Sequence, residues 1–357
     1  MKKNTIYQIF LFLSTFTRGL VEVFSLVLLY KKGFTIYNLF FFLFFSYTFG
    51  ILVNYVSLKF SYKKILSISC LLYGISFLYL TFMDKNILSL ILLAILLSSS
   101  NYSFHALKHL LALELLEDSK NNTNKIIMIT YFGIIVSSLV GIYLIEQLSL
   151  VITSIIIFAL SFIAILPVLK LGHKPSVYSK KELKKIKIEK NKIMFNVLEQ
   201  FKVIFLEVQP LFLYIYIDKS ISYVGIFNVI VNIASLIVVY FLAKRIKRNH
   251  FKYICLLLGI VFVLKLNLKS EIVLLGLAFF EGIFVKIYEN ISLGNLYNIG
   301  NNSIREYLMI EEFIFFGTKS IIMLIVSLFQ LNLYTIMYVS IIGIIASGFF
   351  IEEEISI

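Results

Sequence analysis

Ionisable side chains set inside long apolar stretches are the residues of this chain that could do chemistry. Arg18 and Glu22 stand near the middle of the first stretch, and His105, Lys108 and His109 in the fourth. The seventh holds Glu199, Lys202 and Glu207, the tenth Glu281, Lys286 and Glu289, and the eleventh Glu311, Glu312 and Lys319. A charge among hydrocarbon is costly, so each of these is a candidate for function. A carboxylate in a low-dielectric cavity has its pKa raised and can take up and release a proton near neutral pH, which is what proton coupling requires. Cations facing such carboxylates can bind an anionic or zwitterionic solute. The alternative reading is structural ion pairing, Glu22 with Arg18 and Glu199 with Lys202. Arg before Glu is the weaker order along a helix, which leaves room for a partner to Arg18 on another helix.

Other chemistries find little support. His105 and His109 share one helix face and could hold a metal, but no acidic or thiol partner lies nearby in sequence, and Lys108 can snorkel to the interface. No metal and no cofactor are expected. There is no phosphate-binding loop, no G-x-S-x-G and no H-E-x-x-H, so neither direct ATP drive nor an enzyme is expected. Cys70 and Cys255 lie in apolar runs and define no disulfide framework.

The elements that must position these residues are transmembrane helices. Hydrophobic residues make up 60% of the chain and charged residues 15%, with a mean hydropathy of +0.93. A soluble chain would carry about a quarter charged residues. Runs of roughly 20 apolar residues match a helix crossing a hydrocarbon core of about 30 Å. Twelve spans are expected, at about 6–30, 35–57, 65–82, 87–112, 126–146, 148–169, 193–217, 221–243, 253–268, 271–294, 307–329 and 333–351. The fold class is therefore an all-α polytopic membrane protein.

The net charge of +13 sits in the connections and reads as topology, not as nucleic-acid binding. With a cytoplasmic N-terminus, about 22 Lys and Arg fall inside against 6 outside, the outer group being Lys31, Lys32, Lys85, Lys219, Lys265 and Lys269. Both termini are expected in the cytoplasm, and abundant Lys, Ile and Asn fit a bacterial cytoplasmic membrane. One long polar connector, 170–192, carries nine lysines and divides the spans six and six. It separates an N-terminal half, 1–169, from a C-terminal half, 193–357. Gly133, Ser137 and Gly141, and likewise Ser46, Gly50 and Asn54, form small-residue stripes that read as close helix contacts. Asn228 and Asn232 read equally as interhelical bonding groups or cavity lining.

The halves resemble each other. Residues 16–74 moved forward by 185 positions meet 201–259 with about 14 of 59 positions identical. The matches include Glu22 with Glu207, Tyr55 with Tyr240, Lys59 with Lys244, Cys70 with Cys255 and Gly74 with Gly259. Two same-direction repeats each open with a helix carrying a glutamate at the same depth.

Twelve spans, a central basic linker and two parallel six-span halves resemble the major facilitator superfamily. In that family spans 1, 4, 7 and 10 line the cavity, and those are charged spans here. The family's loop between spans 2 and 3 reads G-x-L-x-D-R-x-G-R-K, against Asn54 to Lys63 here. The basic positions persist at Lys59, Lys63 and Lys64, with Lys244 and Arg248 in the repeat, while Leu58 replaces the acidic position. Span 5 lacks the Gly-Pro element of the family's drug/proton antiporters. Arg305-Glu306-Tyr307, Glu311-Glu312 and Gly317 resemble the start of span 11 in a poorly characterised bacterial branch.

The resemblance implies a monomeric secondary transporter moving a small polar or ionic solute by alternating access, proton-coupled, with membrane lipids as its other partners. The pathway residues it implies are Arg18, Glu22, Asn101, His105, Lys202, Glu207, Glu281, Lys286 and Lys319, with Lys59, Lys63, Lys64, Lys244 and Arg248 in gating loops. Two other readings stay open: a lipid-linked oligosaccharide flippase, and a transporter-like sensor or scaffold without flux.

Overall fold

The computed structural model describes residues 3–57, 62–115, 119–170, 190–241, 250–297 and 304–350. Their α-helices are α1 Lys3–Gly19, α2 Ser25–Lys31, α3 Ile36–Ser57, α4 Tyr62–Phe82, α5 Ile87–Leu115, α6 Ser119–Gln147 and α7 Leu150–Leu169. The series continues with α8 Lys190–Tyr216, α9 Ile221–Phe241, α10 Phe251–Asn267, α11 Glu271–Tyr297, α12 Ile304–Leu328 and α13 Leu333–Ser347. Together α1 and α2 make one interrupted span, so the helices form twelve spans. Seven of them pass as membrane-crossing by length and apolarity alone. The others are short or, like α8, α11 and α12, carry charges within the helix.

Two differences from the expected spans matter. The first span is not continuous: a 3₁₀ turn at Glu22–Phe24 separates α1 from α2. The ninth span, α10, ends at Asn267, within its expected bounds of 253–268, and Lys265, counted above with the outer loops, lies inside the helix and is buried. The linker 171–189 lies outside the described residues.

By contact, the chain divides into one unit of residues 1–179 with 320–327 and a second of 180–319 with 328–357. In the first, α1 packs on α6 and α7, α4 on α5 and α7, and α3 on α5. In the second, α8 packs on α13, α10 on α11 and α13, and α9 on α11. Each pairing in the second unit is one from the first moved on by six spans. The weak sequence repeat is thus matched by a repeated packing scheme.

Small residues permit these contacts. A Cβ added to Gly141 would stand 2.1 Å from the Leu20 carbonyl oxygen, and one on Gly19 would meet Ser137 Oγ at 2.0 Å. The stripe on α6 therefore lets that helix lie directly against the interruption in the first span. In the second unit a Cβ on Gly282 would come within 2.2 Å of the Val231 carbonyl oxygen.

Side-chain caps fix the starts of several helices in each unit. Thr35, Asn86, Ser149, Ser220 and Asn332 each accept a hydrogen bond from a backbone N–H three residues on, at 3.3, 2.8, 3.3, 3.2 and 2.8 Å. These caps open spans 2, 4, 6, 8 and 12, each worth about 1 kcal/mol.

Candidate functional site

The interruption of the first span falls on its two charged residues. Val21 leaves helical geometry at φ −139°, ψ −13°. Its N–H is 3.3 Å from the Arg18 carbonyl, an i to i+3 contact in place of the helical i to i+4 bond. A backbone group released inside a membrane must find another partner. The Arg18 carbonyl keeps the Val21 N–H and gains a second donor in the Tyr73 hydroxyl, at 2.7 Å from α4. The Leu20 carbonyl lies against Gly141 on α6.

The Arg18 guanidinium is almost fully buried. Its Nη2 donates to Ser69 Oγ at 2.8 Å and to the Ser100 carbonyl at 3.4 Å, and its Nη1 donates to Asn101 Oδ1. The rings of Tyr73 and Phe104 face it at 4.7 and 4.5 Å, a cation–π arrangement suited to a dry site. Ser69 and Ser100 brace α4 and α5 by each donating to the other's carbonyl at 2.8 Å. Asn101 is bifunctional: its oxygen receives Arg18, and its nitrogen donates to Glu22 Oε1 at 3.4 Å. An exposed carboxylate is thus tied through one amide to a buried cation. This relay can pass a change in the charge of Glu22 to Arg18 and to the broken backbone.

In the second unit, Glu207 occupies the repeat position of Glu22. Lys319 Nζ lies 3.8 Å from Glu207 Oε1, with Lys319 buried and the Glu207 side chain 36% exposed. Lys319 also sits over the Phe316 ring at 4.9 Å. Pro210 follows within the same helix, where its missing N–H removes a backbone bond. Each half thus places a glutamate next to a weak point in its first helix.

The remaining charged candidates are paired. Lys202 Nζ lies 3.5 Å from Glu199 Oε1 and 4.3 Å over the Tyr288 ring, while Ser292 Oγ donates to both Glu199 oxygens at 2.9 and 3.1 Å. Lys286 meets Glu289 at 3.2 Å. Glu281 has no exposed surface. It ion-pairs with Lys265 and accepts from Gln209 Nε2 at 3.0 and 3.4 Å, and Lys265 donates to Gln209 Oε1 at 2.7 Å. Phe227, Phe262 and Phe205 surround the Lys265 ammonium at 4.5, 5.2 and 5.7 Å. This triad joins α8, α10 and α11.

His105 is exposed, its ring edge-on to Phe104 at 5.7 Å. The side chains of Lys108 and His109 lie outside the described residues, as do Lys59, Lys244 and Arg248. Lys63 is half-buried and Lys64 exposed at the start of α4. Glu311 is buried and Glu312 half-buried in α12. Asn232 Nδ2 donates within its own helix, to Asn228 O at 2.7 Å and Oδ1 at 3.1 Å. Among the described residues no group of three His, Cys, Asp or Glu is placed to hold a metal.

Sequence reasoning did not single out Ser69, Tyr73, Ser100, Gln209 or Lys265. Only Lys265 left a signal, as a lysine at the end of an unusually short apolar run.

No family model matches this chain, and no curated protein sequence matches it. Solved structures do. The crystal structure of the nucleoside transporter NupG superposes with a TM-score of 0.71 at 14% identity, covering 98% of this chain and 98% of that one. The human organic anion transporter MFSD10 (TETRAN) gives a TM-score of 0.70 at 11% identity, covering 98% of this chain and 99% of that one. The chain has the fold of these transporters and is a multi-pass membrane protein.

Proposed function

We propose that the chain is a secondary transporter that moves a small polar or ionic solute across a bacterial cytoplasmic membrane by alternating access, coupled to protons. The observation that carries this reading is the broken first span, where Arg18, Asn101 and Glu22 form a charge relay on released backbone. Interrupted membrane helices with charges at the break are a recurrent way to build a solute and ion site. Glu22 is the proton carrier of the first half and Glu207, beside Lys319, its counterpart in the second. Protonation of Glu22 would remove the negative end of the relay and bias the first span between two arrangements. The six-span halves 1–169 and 193–357 are the bodies that alternate.

The full-length likeness to a nucleoside transporter and an organic anion transporter supports a solute bearing polar or anionic groups. The Lys and Arg bias supports cytoplasmic termini, and withdrawing Lys265 from the outer loops strengthens it.

The test is flux in reconstituted vesicles under an imposed pH gradient, with nucleosides and organic anions as the panel. The expected result is gradient-driven flux of at least one solute, lost in the double variant Glu22→Gln, Glu207→Gln. Gradient-driven flux that survives both substitutions would remove the proton-carrier assignment.

A further inference from the structure

The first unit carries a groove that the relay does not use. It opens between α3 and α4 over α5, with a volume of about 470 Å³. Its rims are the side chains of Leu52 and Val56 on α3 and of Ile68 on α4, which are 58%, 47% and 51% exposed. All three lie on helices long and apolar enough to cross a membrane, and their exposed side chains make the mouth of the groove apolar. Its size falls within the range of about 300–1,000 Å³ typical of small-ligand sites.

The floor contains hydroxyls that are already satisfied. Ser57 Oγ donates to Ser103 Oγ at 3.0 Å, and Ser103 Oγ donates to the Ser99 carbonyl at 2.6 Å. Both of these protons are spent within the protein, and apart from Ser99 and Lys64 the rest of the wall is aliphatic, as at Leu52, Val53, Ile65 and Leu72. A ligand lying on it gains by being apolar.

Charge is confined to one end. Lys64 lines the groove there and is exposed, and Lys63 stands beside it in the first turn of α4. An apolar trough that ends in lysines at the membrane boundary is complementary to one amphiphile class, an acyl chain joined to an anionic headgroup. A zwitterionic lipid would fill the trough equally well but would gain less from the lysines.

We propose that this groove is a binding site for an anionic phospholipid, with one acyl chain between α3 and α4 and the phosphate on Lys64. The site lies on the side of the first unit that carries α3 and α4, and its occupancy does not depend on which solute is moved.

The experiment is native mass spectrometry of the full chain released from detergent in the presence of phosphatidylglycerol or phosphatidylcholine. The wild type is expected to retain phosphatidylglycerol in preference to phosphatidylcholine. Lys64→Ala should lower that preference about fivefold, the factor a basic residue near an anionic headgroup contributes. Val56→Trp, at an exposed rim position, should fill the trough and reduce retention of both lipids without touching the core. Equal retention of the two lipids by the wild type would overturn the anionic assignment. Unchanged retention in Val56→Trp would overturn the location. Vesicle flux measured on Val56→Trp separates this site from the transport reading, because lipid retention can fail while flux persists.

Discussion

The triad Lys265, Glu281 and Gln209 permits a quantitative prediction. Lys265 and Glu281 are 2% and 0% exposed, and three phenylalanine rings surround the ammonium. Among the described residues, the hydrogen bonds of Lys265 go only to Glu281 and Gln209. Glu281→Gln therefore leaves a cation with no counter-charge in a site closed to water. Removing one partner of a buried pair costs about 3–5 kcal/mol, and Lys265→Met should cost a similar amount by stranding the carboxylate. The double variant strands neither, since a Gln at 281 can still pair with the Gln209 amide. It should fall within about 1 kcal/mol of the wild type, a coupling of at least about 5 kcal/mol against the sum of the single variants. The assay is unfolding of the purified protein in mixed micelles titrated with dodecyl sulfate, followed by far-ultraviolet circular dichroism. Single variants costing under about 1 kcal/mol, or a double variant as damaged as the sum of the singles, would refute the reasoning. Either result would mean that water reaches the pair or that the pair is not closed.

Two further predictions concern the interrupted span. Tyr73→Phe removes the second donor to the Arg18 carbonyl, which keeps the Val21 N–H, while leaving the ring on the guanidinium, and should cost about 0.5–1.5 kcal/mol of stability in the same titration; a change as small as that of the exposed control Tyr143→Phe would show that the hydroxyl adds nothing at this point. Gly141→Ala sets a Cβ against the Leu20 carbonyl at 2.1 Å and should lower the midpoint clearly, whereas Gly317→Ala, with nothing within 4 Å of the added carbon, should leave it unchanged.

Much of this architecture is legible in the sequence because membrane helices announce themselves one at a time. A run of 20 apolar residues needs no partner to be recognised. Glu22 and Glu207 stand out because a carboxylate among hydrocarbon is rare, and the stripe Gly133, Ser137, Gly141 because small residues at helical spacing have a direct steric meaning. What the sequence hides is what depends on rotation and contact. Ser69 and Ser100 are ordinary small polar residues until α4 and α5 turn them toward Arg18. The interruption at Leu20 to Phe24 carries no proline, and the Tyr73 hydroxyl and the smooth face at Gly141 that support it come from other helices. Lys265 falls inside the expected span 253–268 yet counts with the outer cations because apolarity ends near it, and only Glu281, on the next helix, makes its burial possible. Pairing therefore decides which charges in this chain are structural, and pairing is a tertiary property.

The most direct measurement of the central claim is water access to the two repeated glutamates. In a background with the buried Cys70→Ser and Cys255→Ser, single replacements Glu22→Cys and Glu207→Cys are labelled with a membrane-impermeant thiol reagent from each face of sealed vesicles. A transporter working by alternating access predicts labelling at both positions, with the reactive face changing when a pH gradient is imposed. Absence of labelling at both from either face would contradict it, making these carboxylates dry structural partners.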